Sequence, residues 1–337
     1  MVLHGRLCGR VGRRRDLNIK PLELIKRLFY FLAMIERYHK FSHFLKQKYG
    51  EKVWKISLDA GLRCPNCTAD GKEGCIYCRN DSFSRKASLH NESINEQMAR
   101  GIDFARSHLG IKKYIAYFQA STNTFAPASH LEQLYNQALS FDGLVGVSIS
   151  TRPDCLPSPV IELLSDLSKR TDLWIELGLQ SSFDKTLELI NRGHTFQDFL
   201  DAVEKLKKIN ARICAHLMLG LPGEGRDEIL ITAQKISRLD IHEVKLHPVL
   251  ILRDTKLENM LAKGLFSSLT LSQYAQMVVE FIELLPESLV IQRMTAEAPR
   301  EMLVAPDWSM NKLAVLNAIE AEFQLRDTYQ GKKYKRG

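Results

Sequence analysis

Four of the seven cysteines of this 337-residue chain form two closely spaced pairs, Cys64–Cys67 and Cys75–Cys78. Two cysteines separated by two residues can bind one metal centre, because a short loop lets both sulfur atoms face the same point. The pairs follow Val53–Leu58, an apolar, β-branched run that predicts a short buried strand. We therefore expect a metal centre at the carboxyl end of a strand, where α/β folds place their chemistry.

Two kinds of metal centre fit these cysteines. A tetrahedral zinc site would use all four cysteines. However, a zinc ribbon usually has roughly 15 to 20 residues between its pairs, and here only residues 68 to 74 separate Cys67 from Cys75. A [4Fe-4S] cluster would use Cys64, Cys75 and Cys78, which leaves one iron open for a further ligand. In that case Cys67 is a spare thiol, an alternative ligand or a fourth ligand.

Strand-like and helix-like patterns alternate along the chain after the cysteines. Such alternation indicates an α/β fold with parallel strands and right-handed crossovers. Six strand–helix units, rather than eight, indicate a partial (β/α)6 TIM barrel with helical additions at both ends, and Leu289–Met294 is a possible added strand. A helix is also predicted at Pro21–His39. The six predicted strands are Val53–Leu58, Lys113–Phe118, Leu144–Ile149, Leu173–Leu177, Arg212–Leu219 and Glu243–His247.

Polar residues stand in or after several predicted strands. The segment Gln119–Thr124 offers hydroxyl and amide groups that suit a zwitterion, although such residues also favour ordinary turns. Arg152 offers a fork for a carboxylate or phosphate, with a surface salt bridge as the alternative. Glu176 lies in an apolar strand, where a carboxylate needs bonded partners. Either a ribose or an internal ion pair would supply them.

The fifth predicted strand ends at Gly220-x-x-Gly223, where two glycines let the backbone approach a flat ring closely. His216 and His247 are candidate inward-facing catalytic groups. A hydrogen-bonded core histidine is the commoner case for both.

The cysteine loop and several later segments resemble the radical S-adenosylmethionine (SAM) superfamily, and in particular its YhcC/YtqA-like (MnmL-type) and elongator-type members. Tyr77, directly before the last cysteine, is typical of the SAM cluster loop, and the C-x10-C-x2-C spacing is close to the long first gap of these members. Cys67 stands where relatives carry a different residue. The similar segments are Lys52–Asn66, Tyr117–Pro127, Trp174–Ser182, His216–Glu224 and Thr295–Pro306.

This resemblance implies a radical SAM type of partial barrel with a [4Fe-4S] cluster on Cys64, Cys75 and Cys78, whose open iron binds SAM. A flavodoxin- or ferredoxin-type donor would reduce the cluster, and cleavage of SAM would give methionine and a 5′-deoxyadenosyl radical that abstracts a hydrogen atom. Gln119, Ser121 and Thr122 would replace the Gly-Gly-Glu motif that binds the SAM amino group. The predicted cofactor-binding residues are Tyr77, Gln119, Ser121, Thr122, Ser150, Arg152, Glu176, Gln180 and Gly220.

The net charge of +8 is concentrated at the two ends of the chain. Basic ends suit a polyanion such as RNA, or are solvated tails.

No apolar run reaches the roughly 18 residues of a membrane span. An odd number of cysteines, most of them clustered, favours a metal centre in a reducing cytoplasm. The expected parts are a basic extension or miscalled start at 1–33, a helical lead-in at 34–50, the radical SAM core at 51–285, a family extension at 286–331 and a basic tail at 332–337.

By the resemblance, the expected substrate is a tRNA wobble uridine side chain. A rival hypothesis is a non-catalytic zinc-knuckle module that binds RNA through all four clustered cysteines, although such a module needs no barrel. Radical SAM methylthiolation is a second alternative. It usually requires another cluster, and Cys8, Cys155 and Cys214 lack the spacing for one.

Overall fold

The computed structural model of the chain describes residues 36–67, 74–79 and 92–335. The predicted extension 1–33 and most of the predicted helix Pro21–His39 lie outside these residues. The strands in the described part are β1 (Val53–Leu58), β2 (Lys113–Phe118), β3 (Leu144–Thr151), β4 (Asp172–Gln180), β5 (Ala211–Leu219), β6 (Glu243–Pro248), β7 (Ile251–Leu252), β8 (Val290–Arg293) and β9 (Leu303–Ala305).

Helices follow nearly every strand of the sheet. They are α1 (Phe41–Tyr49), α2 (Ile94–Leu109), α3 (Ala128–Leu139), α4 (Ser158–Ser168), α5 (Asp184–Leu189), α6 (Phe196–Leu206), α7 (Arg226–Ile236), α8 (Lys256–Ala262), α9 (Leu271–Glu283) and α10 (Lys312–Leu325), with a 3-10 helix at Asp307–Met310. Local chemistry sets their ends. For example, Ser93 and Glu96 form a capping box at the start of α2, which ends at Gly110 with φ of 65°.

One seven-stranded sheet has the order β1-β2-β3-β4-β5-β6-β8, and every neighbouring pair in it is parallel. Strands β2 to β5 are buried along almost their whole length, as expected when side chains cover both faces of a parallel sheet. This architecture confirms the predicted α/β partial barrel. The possible added strand is real, because β8 pairs with β6 and extends the six predicted strands to seven.

Helix α1 packs across the amino ends of the strands. Phe41 meets Trp174 edge to face at 6.4 Å, and Leu45 belongs to the same buried cluster. Inside the sheet, Trp174 Nε1 and Arg212 Nε donate to one carboxylate oxygen of Glu243, at 2.8 and 2.7 Å. These contacts fill the amino end of the barrel. The carboxyl ends of the strands are left to form a cleft.

The two ends of the described chain differ from the sequence-based expectation. Residues 36–39, predicted as the end of a helix, are not helical; His39 C=O accepts from Ile291 N–H of β8 at 2.8 Å, which draws this segment along the sheet edge instead. Lys333, expected in a basic tail, donates its backbone N–H to Glu283 at 2.9 Å and its ammonium group to the Glu283 carboxylate. No helix among the described residues is long and apolar enough to cross a membrane.

Candidate active site at the carboxyl ends of the strands

The carboxyl ends of the strands surround a cleft with a volume of about 220 Å³. All three predicted cluster cysteines line it, together with every predicted cofactor-binding residue except Gly220. These residues come from β1 to β4 and the loops after them, so they are distant in the chain. The lining residues that the sequence predicted are Cys64, Cys75, Tyr77, Cys78, Gln119, Ser121, Thr122, Ser150, Arg152, Glu176 and Gln180.

The cysteine loop is folded as two short turns. The N–H of Cys67 donates to Cys64 C=O at 3.1 Å, and the N–H of Cys78 donates to Cys75 C=O at 2.9 Å. Cys67 also lines the cleft, so the structure leaves its three possible roles open. No group of three or more histidine, cysteine or acidic side chains in the described part is arranged to bind a single metal ion.

The turn after α5 secures the cysteine loop. Asn66 Nδ2 donates to Asn191 C=O at 2.6 Å, and Asn191 Nδ2 donates to Gly74 C=O at 2.7 Å. Gly193 lies beside this contact with φ of +73°, and a Cβ added there would lie 2.5 Å from Asn66 Oδ1. Only glycine combines this backbone conformation with so close an approach.

Arg152 acts on the same turn. Its guanidinium donates to the carbonyl oxygens of Arg192 and Gly193 at 2.7 and 2.9 Å, and forms a two-point ion pair with Asp154 at 2.9 and 2.8 Å. The salt bridge that the sequence left as an alternative is present, but Arg152 is only 3% exposed and not at the surface. Its predicted role towards a carboxylate or phosphate ligand stays a prediction.

Sequence reasoning missed Arg192, which the turn brings to the cysteine loop. The buried guanidinium donates to Gly178 C=O at 2.7 Å and lies 3.6 Å from the sulfur of Cys75, which also accepts from Asn66 Nδ2 at 3.4 Å. Burial opposes the charge of Arg192, but Tyr77 and Cys75 nearby keep its pKa above the ordinary value. A buried cation and an amide donor at a thiolate suit an anionic cluster, so these residues fit the group that the sequence predicts.

Glu176 lies on the floor of the cleft and is completely buried. It forms ion pairs with Lys55 and Lys245, and it accepts hydrogen bonds from Ser148 Oγ at 2.7 Å and His216 Nε2 at 2.8 Å. Burial raises the pKa of this carboxyl, but the two lysines outweigh that effect and hold it well below the usual range. The internal ion pair is thus what the structure contains. The ribose contact of Glu176 stays a prediction.

Backbone irregularities aim two other predicted residues into the cleft. The pairing of β4 with β5 shifts register between Gly178 and Gln180, where Gln180 has φ of 76°. Ser121 has φ of 62° in the loop after β2. Positive φ at non-glycine residues is costly and is often found at functional sites, which agrees with a ligand-binding role for this edge.

Gly220 is the one predicted cofactor-binding residue that is not among the residues lining the cleft. Its φ is +88°, and a Cβ added there would lie 2.8 Å from Leu269 Cδ1. It borders a separate small hollow with Leu269, Pro306 and Trp308. The backbone conformation and the close approach of Leu269 both require glycine here, and the predicted cofactor contact of Gly220 stays a prediction.

Two family models match adjacent parts of the chain. The model of the radical SAM superfamily matches residues 64–236, which include the whole cysteine loop. The model of the Radical_SAM C-terminal domain matches residues 241–324.

Individual proteins and a solved structure agree with these matches. YtqA of Bacillus subtilis is 39% identical over 307 residues, covering 89% of this chain and 94% of YtqA. A tRNA uridine(34) acetyltransferase of Methanocaldococcus infernus is 26% identical over 168 residues, covering 48% of this chain and 30% of that protein. The structure of the archaeal Elp3 of the same organism has a TM-score of 0.65 at 17% identity, covering 82% of this chain and 64% of that one, and shows a shared fold. The chain therefore belongs to the radical SAM superfamily, where it groups with the YtqA-like proteins, and its cofactors are a [4Fe-4S] cluster and SAM.

Proposed function

We propose that this chain modifies the side chain of a tRNA wobble uridine by radical SAM chemistry. The observation that carries the substrate class is the similarity to a protein named as a tRNA uridine(34) acetyltransferase. The match covers 30% of that protein, and the proposal takes from it the substrate class alone. The net charge of +8 agrees with a polyanionic substrate.

We assign Cys64, Cys75 and Cys78 to the cluster and the polar residues Gln119, Ser121, Thr122, Ser150 and Gln180 to SAM. When bound, the cluster and SAM supply one-electron cleavage of a sulfonium and abstraction of a hydrogen atom from the substrate. The protein has to position the substrate beside the reacting group and exclude water. Electrons would come from a flavodoxin- or ferredoxin-type donor, and the cytoplasm is the compartment that such chemistry requires.

The floor of the cleft would favour an anionic substrate. Lys55 and Lys245 together carry two positive charges against the one negative charge of Glu176. Burial lowers the pKa of His216 to about 4, so this neighbour is neutral at pH 7. One positive charge is therefore uncompensated in a water-poor site, where it attracts anionic groups more strongly than at the surface.

The test is a comparison of tRNA nucleosides by mass spectrometry. Bulk tRNA from a deletion strain should lack one modified uridine that the parent strain contains. Anaerobic incubation of that tRNA with reconstituted protein, SAM and a reductant should restore it, whereas the Cys75→Ala protein should not. A tRNA with guanosine at the wobble position is the matched substrate control.

The outcomes also separate the alternatives. A product that gains a methylthio group would establish methylthiolation instead. Purified protein that contains zinc without iron, and leaves every nucleoside unchanged, would favour the RNA-binding zinc knuckle. Identical nucleosides in the two strains would exclude a tRNA substrate.

A further inference from the structure

The last two strands of the sheet place two more basic side chains in the cleft. His247 lies on β6 and Arg293 on β8, and both line the same cavity as the cysteine loop. In the sheet order these strands stand at the opposite edge from β1, which leads into that loop. A register shift between β6 and β8 pairs Arg293 with Lys245, whose side chain points to the floor of the cleft.

Arg293 has no ion pair with any described residue. Its Nε is buried without a hydrogen-bond partner, although a guanidinium group has five donors to satisfy. The carboxylate of Glu297 also lines the cleft, but it forms an ion pair with Lys312 at 3.6 Å. Buried polar groups in folded proteins nearly always have partners, so an orphaned arginine in a cleft indicates a missing ligand.

His247 has the same deficiency. Its Nε2 is buried and has no hydrogen-bond partner in the described part of the chain, and its ring centroid lies 5.7 Å from that of His216. Burial and the charge of Arg293 lower the pKa of His247 well below the ordinary value. The ring is therefore neutral at pH 7 and can donate one hydrogen bond through Nε2.

The neighbouring carboxylate does not satisfy these donors. Glu176 is fully engaged by Lys55, Lys245, Ser148 and His216. The cleft thus contains one guanidinium and one imidazole without partners among the described residues, beside a floor that already carries excess positive charge. Two donors in one cleft, one of them charged, suit the oxygens of a carboxylate or a phosphate.

We propose that Arg293 and His247 form a binding subsite for an anionic group of the substrate, either a carboxylate or a phosphate. The subsite rests on the proposed function in one respect, because the substrate must enter this cleft. It lies on β6 and β8, whereas the predicted cluster ligands lie in the loop after β1. An anion held there would fix the orientation of the substrate across the cleft.

The first experiment uses small anions without tRNA. Binding of acetate and of inorganic phosphate to the reconstituted wild-type protein is measured by proton saturation transfer and by phosphorus line broadening. The Arg293→Gln protein should lose binding of the preferred anion, while Arg293→Lys should retain part of it. Arg300→Gln is the matched control, because this arginine is exposed, does not line the cleft and closely follows the cleft-lining Ala298 in the chain. Preference for acetate or for phosphate distinguishes a carboxylate from a phosphate group.

The second experiment measures SAM affinity, cluster content and kinetics on tRNA. Arg293→Gln should raise KM for tRNA by about 10- to 100-fold, as expected for a lost charged hydrogen bond. Its SAM affinity and iron content should equal those of the wild-type protein. His247→Asn, which can still donate a hydrogen bond, should have a smaller effect than His247→Phe.

Each failure has a distinct meaning. If both anions bind equally to wild-type and Arg293→Gln proteins, and KM for tRNA is unchanged, the subsite is wrong and the proposed function stands. If Arg293→Gln loses SAM affinity to the same extent, Arg293 binds the cofactor and the proposal is overturned. If anion binding depends on Arg293 but tRNA is no substrate, the subsite stands and the proposed function fails.

Discussion

The cysteine loop and the cleft-lining residues of β6 and β8 differ in how their polar groups are satisfied. At the cysteine end, Asn66, Arg152 and Asn191 all bond to carbonyl oxygens of the same chain. On β6 and β8, by contrast, His247 Nε2 and Arg293 Nε have no partner among the described residues. The first end is thus organised by the protein itself, as a site that builds a reactive group must be. The second has hydrogen-bond donors without acceptors, as expected of a site that binds a group of the substrate.

The largest expected effect comes from the cysteines. Cys64→Ala, Cys75→Ala and Cys78→Ala should each abolish cluster assembly, because three thiolates are the minimum that holds a [4Fe-4S] cluster with an open iron. Cys67→Ala should keep most of the cluster, as expected for a spare thiol. Iron analysis and the visible absorption of anaerobically reconstituted protein measure this. Equal damage by Cys67→Ala would make it a ligand.

Removing the negative charge on the cleft floor should have the next largest effect. Glu176→Gln leaves Lys55 and Lys245 buried without a counter-charge and should lower the free energy of unfolding by about 3 to 5 kcal/mol. Urea denaturation measures the change. Glu297→Gln is the control, because this cleft carboxylate belongs to a more exposed ion pair. This substitution should lower the free energy of unfolding by less than about 1 kcal/mol. Equal costs would show that the floor is more hydrated than its burial indicates.

A pair of glycine substitutions tests whether the turn at 191–193 organises the cysteine end. Gly193→Ala adds a methyl group 2.5 Å from Asn66 Oδ1, whereas Gly264 has a similar φ of +69° and open space around it. Both should lose about 1 to 2 kcal/mol from the left-handed backbone conformation. Only Gly193→Ala should also lower the iron content. Equal iron content in the two variants would mean that the turn does not position the cysteines.

The last prediction is a pH dependence of stability. Burial lowers the pKa of His216 and of His194 to about 4 in the folded protein, against an ordinary value near 6.5. The unfolded chain therefore binds more protons between these values, so the free energy of unfolding should fall as the pH drops from about 6.5 to about 4. Urea denaturation at several pH values measures the slope, which His216→Asn should reduce. An unchanged slope would contradict the assignment to His216.

The order of elements was predictable from local patterns, and the assignment of the cluster ligands stays a prediction. The bounds of β1, α2 and β2 follow from apolar spacing, a capping box and a terminal glycine. Each of these signals involves residues that are close together in the sequence. The short helix α8 and the β7–β9 pair had no such signal and were not predicted. The helical prediction for residues 36–39 was wrong because pairing with β8, about 250 residues away in the chain, outweighs local propensity.

The sequence by itself determined the alternation of strands and helices and the family, and it predicted the cysteine ligands, since each depends on residue types at short, regular spacing. Only the tertiary structure decided which polar groups are satisfied. Arg192 meets Cys75 across 117 positions of the chain, and Lys55 meets Glu176 across 121. Such partners are brought together by the curvature and register of the sheet, which no local pattern encodes. For the same reason, the unpaired donors of Arg293 and His247 could be recognised only after every neighbouring carboxylate had been located.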